Sequence, residues 1–364
     1  MTHTSPNPVP VPIRKDDHPL LAVTDLRTCF PVRRSPFSRR VSLCRAVDGV
    51  SFEMTAGTTL GLVGESGCGK TTLGRTLLRL VRPTAGRIIF DGIDVLSASR
   101  AVMHRLRRNM QIVFQDPFGS LNPRMKVGAI IAEPLQIHGL GNGSERRAKA
   151  ASLLERVGLR PSDADRYPHE FSGGQRQRIG IARAISLHPK FLVCDEPVSA
   201  LDVSIQAQII NLLDDLKRDL RLTVLFIAHN LAVVRHVSDR VAVMYLGRIV
   251  EIANVDELFT QPRHPYTVAL LRAAPDPDPR RRRKAGKDDP SQGVMLQGEP
   301  PSPMDPPSGC AFHPRCPLAT DECRQVTPPL ESKIGLSPEH LAACHHADQV
   351  PDRLISLSMS VTNT

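Results

Sequence analysis

An α/β fold built around a largely parallel sheet is the fold class this sequence predicts, and three observations predict it. Short β-rich runs, "SFEM", "TTLGLVG", "RIIFDG", "FLVCDE", "TVLFIAH" and "RVAVMYLGRIVEI", recur between Leu20 and about Val250. Helical stretches separate them, and strands alternating with helices pair mostly in parallel, leaving loops at their ends free for ligands. A glycine-rich turn, "GESGCGKT", stands between one such strand and the helical stretch "KTTLGRTLLRLV".

Taken in order, the chain opens on residues 1–19, where alternating prolines read as a disordered tail. The next 20–270 hold the α/β core. Within it, strand signals thin out between Pro117 and about Leu187, which predicts an inserted helical subdomain at 117–187. Residues 271–308 form a proline-rich linker around "RRRRK", Arg280 to Lys284. A charge run of this kind reads as a solvated stretch, with contact to an anionic membrane leaflet as the sharper alternative. A cysteine-rich extension at 309–347 and a tail at 348–364 complete the chain, and no internal repeat is visible, so a single core is expected.

The 364 residues suffice for one large domain or two smaller ones, and 41% hydrophobic with 23% charged residues is a globular composition. The formal charge of +10 permits phosphate, nucleic-acid or membrane contacts and selects none of them. No apolar run approaches the roughly 20 residues of a spanning helix; "LTVLFIA" at 222–228 suits a buried strand. The first residues lack the basic-then-apolar order of a secretion signal, which predicts a cytosolic chain. There, eight cysteines read as thiols or metal ligands rather than disulfides.

The phosphate-loop pattern G-x-x-x-x-G-K-[ST] is met by Gly64, Glu65, Ser66, Gly67, Cys68, Gly69, Lys70 and Thr71, with Thr72 next. Its glycines let backbone N–H groups face a β-phosphate at a helix N-terminus. Lys70 would bridge the β- and γ-phosphates, and Thr71 would ligate Mg²⁺. Such a loop requires a metal-side carboxylate, and "FLVCDEP" supplies Asp195 for Mg²⁺ and Glu196 to take a proton from the attacking water. Alone, "DE" after an apolar run would read as a solvated strand end.

"FSGGQRQRIGIARAI", Phe171 to Ile185, places Ser172, Gly173, Gly174 and Gln175 at a helix start, where a hydroxyl and bare N–H groups suit an anion. With this stretch the chain resembles the nucleotide-binding subunits of ATP-binding cassette (ABC) transporters, whose signature is LSGGQ; Phe171 replaces the leucine. The resemblance covers about 20–270. It implies an ABC-type P-loop ATPase: a RecA-like core with an antiparallel β subdomain and the inserted helical subdomain. It further implies that the signature completes the ATP site of a second ABC ATPase subunit, identical or paralogous. In the same way it implies that Gln115 in "VFQDP" reaches Mg²⁺ and the attacking water, that "SALD" at 199–202 crosses the dimer interface, and that His229 contacts the γ-phosphate. Phe30 is the aromatic expected on adenine, with Phe37 competing.

"QDPFGSLNPRMKVG", the insertion between Phe30 and Val47, "HPYTVALLRAAPDPDP" and "GEPPSPMDPPSGCAFHPRCP" are similar to the oligopeptide/dipeptide import branch, which also handles nickel. That resemblance implies two membrane-spanning permease subunits, an extracytoplasmic peptide-binding protein and a place on the cytoplasmic face of a bacterial inner membrane. No nucleic acid is expected. A soluble ABC ATPase acting on nucleic acid or ribosomes is the alternative, but such chains usually join two cassettes or insert a coiled coil. A P-loop kinase would have no use for "SGGQ" or "SALD".

Cys310, Cys316 and Cys323 are spaced C-x5-C-x6-C, with Cys344 twenty residues on. Four thiols within about 35 residues suit a soft metal, and the absence of C-x2-4-C knuckles makes Zn²⁺ the weaker choice. Some peptide-importer ATPases carry a [4Fe-4S] cluster on such cysteines, so the resemblance implies that cluster here, with His313, His345 and His346 as neighbours. Free thiols are the plain alternative.

Overall fold

The computed structural model describes residues 19–33, 41–199, 201–273, 298–332 and 337–350. The "RRRRK" run, Phe37, Ala200 of "SALD" and most of both tails lie outside the described residues. β1 (Leu21–Arg33) and β2 (Val41–Met54) form a long antiparallel pair. β3 (Thr59–Val63) runs into α1 (Lys70–Leu77). β4 (Ala85–Phe90) and β5 (Ile93–Asp94) return to the first pair, giving an antiparallel sheet of order β2-β1-β4-β5. "SFEM" is thus only the end of a strand that begins at Val41. Beyond Phe30 the chain continues as strand, with Phe30 opposite Cys44. The weak apolar alternation of that stretch hid it, because this part of the pair is half exposed.

After α2 (Arg100–Asn109) and β6 (Met110–Val113) come three helices: α3 (Val127–Ile137), α4 (Gly143–Arg156) and α5 (Gly173–Ile185). They lie within the segment whose strand signals thin out. Asn142 caps α4 by accepting from Ser144 and Glu145 N–H groups, while the Glu145 carboxylate accepts the Asn142 N–H.

Then β7 (Phe191–Asp195), α6 (Val203–Leu220), β8 (Thr223–Ile227), α7 (Leu231–Val237), β9 (Arg240–Tyr245), β10 (Arg248–Asn254), α8 (Val255–Thr260) and α9 (Pro265–Ala273) follow. Strands β6, β7, β8, β3 and β9 are parallel neighbours, and β10 joins β9 as an antiparallel hairpin. Every residue of β3, β7 and β8 is buried, as strands covered on both faces must be. Successive side chains go to opposite layers. Leu192 and Cys194 pack with the helices around Ile179 and Ile209, whereas Phe191 and Val193 pack with Leu26, Phe52 and Leu73 beneath the antiparallel sheet.

The extension docks on this body. α10 (Asp321–Gln325) and the short β11 (Glu331–Ser332) and β12 (Leu341–Ala342) belong to it, and β12 adds to the sheet beside β10, with Ala342 opposite Glu251. Phe312 is buried against Tyr245, Tyr266 and His264, with ring centroids 5.3, 5.4 and 5.7 Å away. The buried Glu251 carboxylate accepts from the N–H groups of Arg263 (2.6 Å) and His264 (3.0 Å) and lies 2.8 Å from His340 Nε2. Before the extension, the Pro303 carbonyl accepts the Arg45 N–H on β2.

Candidate nucleotide site

The predicted site residues after β3, β6, β7 and β8 gather at the carboxyl ends of four adjacent parallel strands, where open α/β sheets bind ligands. Gly64 to Gly69 link β3 to α1, and Thr72 lies in the first turn of that helix. Gly69 sits at φ +110°, and a β-carbon there would collide with the Ala46 carbonyl oxygen, so only glycine closes the loop. Lys70 is buried, and its Nζ donates to the carbonyl oxygens of Gly64 and Glu65 at 2.8 and 2.9 Å. Its charge is held against the predicted phosphate loop. Cys68, 3.8 Å from that Nζ, is a buried thiol whose pKa is pushed up by burial.

Thr71 Oγ1 donates to Asp195 Oδ1 at 2.8 Å. The other carboxylate oxygen, Oδ2, is buried with no hydrogen-bond partner and lies 3.8 Å from Arg75. Burial pushes the Asp195 pKa up, partly offset by the Thr71 hydrogen bond. A hydroxyl and a carboxylate brought together, one buried oxygen still lacking a donor, fit a hard divalent cation such as Mg²⁺.

Glu196 sits at φ +46°, a left-handed conformation costly for a residue with a side chain, which turns its carboxylate beyond the strand end. Gln115 Nε2 donates to Glu196 Oε2 at 2.8 Å, and His229 Nδ1 lies 3.7 Å from the same oxygen. Gln115, Glu196 and His229 therefore converge on one atom from three loops.

Ser172 caps α5: its hydroxyl accepts the Gln175 N–H at 3.4 Å, and the Gln175 side chain accepts the Ser172 N–H at 3.0 Å. Gly174 is buried against α6, where a β-carbon would lie 2.5 Å from Ile205 Cγ2; Gly173 is half-buried. Gly174 is therefore needed for packing as well as for any ligand. Phe30, on β1, is 39% exposed.

Three contacts escaped the sequence reading. The Glu65 N–H donates to Tyr266 Oη at 2.9 Å, Arg75 approaches Asp195, and Arg315 of the extension forms an ion pair with Glu65. The only sequence signal for the last was a charged residue inside "CAFHPRC".

For the expected cysteine centre, no three His, Cys, Asp or Glu side chains among the described residues are placed to share a metal ion. Cys310, Cys316, Cys323 and Cys344 nevertheless lie near enough that, after burial, the neighbouring thiols help raise the pKa of Cys310, Cys316 and Cys344. Cys316 and Cys344 also pack with Val268, Leu318, Ala342 and Val350, and burial pushes both thiols up to about 12. Burial also raises Cys310, and Cys323 Sγ lies 3.6 Å from His346 Nε2. The extension is also held by contacts with the core through Phe312, His340 and Arg315.

The ABC transporter family matches residues 47–199, and the family described as "Oligopeptide/dipeptide transporter, C-terminal region" matches 250–323. The chain is 52% identical over 327 residues to the oligopeptide transport ATP-binding protein AppF of Bacillus subtilis, covering 90% of this chain and 97% of that one. Among solved structures, a dimeric post-hydrolysis state of the ATP-binding cassette MJ0796 bound to ADP and Pi superposes with a TM-score of 0.58 at 26% identity. It covers 65% of this chain and 98% of that one. For cbiO1 of Clostridium perfringens, part of the ABC transporter complex cbiONQ, the values are 0.57 and 28%, over 69% of this chain and 95% of that one.

Proposed function

This chain belongs to the ABC transporter ATPases, and from that premise we propose that it powers oligopeptide or dipeptide import as one ATPase subunit of a membrane transporter. The observation that carries the reading is the joint placement of the Thr71–Asp195 pair and the Gln115–Glu196–His229 cluster beside the phosphate loop.

ATP docks with its phosphates on the loop. Lys70 then exchanges two loop carbonyls for phosphate oxygens, a stronger charge-assisted contact. Thr71, Asp195 and Gln115 hold Mg²⁺, which supplies charge neutralisation at the phosphates. Glu196 takes the proton of the attacking water, Gln115 holds the Glu196 carboxylate in place, and His229 approaches the γ-phosphate. Phe30 stacks on adenine. Ser172, Gly173, Gly174 and Gln175 serve the γ-phosphate of a facing subunit, so each of two sites takes one half from each chain. AppF bears the name of an oligopeptide transport protein, and this supports peptide as the cargo here.

The partners are a second ATPase subunit, two permeases and, indirectly, an extracytoplasmic peptide-binding protein. Among the described residues no helix is long and apolar enough to cross a membrane. In this reading the permeases supply the span and this subunit sits on their cytoplasmic face. The segment 117–133 beside Gln115 is where a permease helix docks.

Copurification with the permeases in vesicles, and ATP hydrolysis stimulated by peptide-loaded binding protein, tests the reading. Stimulation by nickel or another solute would move the cargo, and stimulation by DNA or ribosomes would overturn the transporter. The four cysteines support a separate proposal, a [4Fe-4S] centre with Zn²⁺ as its alternative. Each of Cys310, Cys316 and Cys344 receives a backbone N–H, which favours thiolate, but the thiols would have to move together. Iron and zinc analysis of anaerobically purified protein decides it.

A further inference from the structure

We infer that Arg315 of the cysteine-bearing extension neutralises Glu65 within the phosphate loop and thereby removes a negative charge that would oppose ATP binding. The inference rests on the ATPase reading and assigns a role to a residue outside the nucleotide-binding motifs.

Glu65 is an awkward residue for its place. It follows Gly64 in the loop that receives a polyphosphate, and an ionised carboxylate there repels the ligand. Arg315, from the turn between Cys310 and Cys316, meets it with both arms of the guanidinium. Nη1 lies 2.8 Å from Oε2 and Nη2 2.9 Å from Oε1. This paired geometry is the strong form of an arginine–carboxylate contact. The Arg315 side chain is 5% exposed and that of Glu65 23%, so water screens the pair weakly. The hydrogen bonds to Glu65 also raise the Arg315 pKa beyond its ordinary range, so the guanidinium stays charged.

The remaining polar groups of Glu65 are held by other elements. Its N–H donates to Tyr266 Oη on α9, and its carbonyl accepts Lys70 Nζ. Arg315 is itself placed by Phe312, three residues earlier, which is wedged among Tyr245, Tyr266 and His264. Its ring contact at Tyr245, 5.9 Å to the centroid, adds a further support. When Lys70 leaves the Glu65 carbonyl for phosphate, Arg315 keeps the Glu65 carboxylate drawn to the extension and away from the anion.

The test compares Arg315→Gln, Glu65→Gln and the double variant with the wild-type full chain, with MgATP affinity, KM, kcat and melting temperature all measured. Arg315→Gln leaves Glu65 unpaired and should raise KM and Kd for MgATP at least about tenfold, with kcat at saturating ATP changed far less. Glu65→Gln removes the adverse charge and should leave KM at or below the wild-type value. The double variant should match Glu65→Gln, so that the second neutral residue rescues the first. Arg315→Lys, which retains the charge, should fall between wild type and Arg315→Gln.

A purely structural pair predicts the opposite: Glu65→Gln as harmful as Arg315→Gln, the double no better, and losses that follow the melting temperature. That pattern, or an unchanged KM in Arg315→Gln, would overturn the inference. Should Arg315→Gln not fold, Glu65→Gln and Arg315→Lys still decide, since a raised KM in Glu65→Gln sinks the inference alone. Wild type and Lys70→Ala run alongside separate the two readings. A wild type that does not bind MgATP, or a Lys70→Ala that binds equally well, overturns the ATPase reading and the inference with it.

Discussion

β7 and β12 belong to the same eight-stranded sheet, and they are held in it by different means. All five residues of β7 are buried between a helical layer and the antiparallel sheet, and its end carries Asp195. β12 is two residues long and buries Ala342 against β10. Around it the extension depends on a few anchors: the Phe312 ring, the Glu251 carboxylate with His340, and Arg315 on Glu65. A strand covered on both faces draws stability from many small contacts, so no single one is decisive. A docked segment concentrates its hold in a few groups, and removing one removes a large share. The core should therefore fail first in chemistry and the extension first in attachment.

The largest effect should come from the core. Glu196→Gln is expected to lower ATP turnover by roughly a hundredfold or more through loss of the proton acceptor, while MgATP binding and melting temperature persist. Phosphate release and nucleotide binding measured on the same preparation check it. Near-normal turnover would end the assignment of Glu196, whatever the extension does.

Next in size is the extension's ring anchor. Phe312→Ala should destabilise the protein by about 3–5 kcal/mol, the usual range for emptying a buried aromatic site, read from denaturant unfolding. Protection of the 310–332 and 337–344 amides from hydrogen exchange should fall before that of β7. Equal loss in both places would mean that core and extension unfold as one unit, which would break the comparison.

The smallest effect is a pH dependence at the boundary. His264 is buried, its Nδ1 accepts the Tyr266 N–H, and burial lowers its pKa from the ordinary 6.5 to about 3. Below about pH 6.5 the unfolded chain takes up a proton that the folded chain refuses. This contribution is therefore neutral above pH 6.5, and stability falls by up to about 1.4 kcal/mol per pH unit as pH drops from there towards 3. His264→Gln, which keeps an acceptor for the Tyr266 N–H, should flatten that slope between pH 6.5 and 5. An unchanged slope in denaturation midpoints would show that other groups govern acid loss and that His264 does not.

The sequence by itself determined the α/β class and marked the residues proposed for the nucleotide site. Its decisive signals are local: "GESGCGKT" lies between a strand and a helix, and the runs of β3, β7 and β8 are apolar because both their faces are covered. Backbone geometry carries such patterns over a handful of residues, so composition and spacing reveal them. Tertiary structure alone decided how those residues meet, with Gln115 and Glu196 paired across 81 residues and Glu196 in a left-handed conformation. It alone also brought Arg315 to Glu65 across 250 residues, set Phe312 among three rings of the core and laid β12 beside β10. The cysteine spacing pointed to a metal in the extension, and the structure adds contacts of that segment with surfaces far away in the chain. A side chain's burial and its charge partner are properties of the folded assembly, and no local pattern encodes which distant surface will supply them.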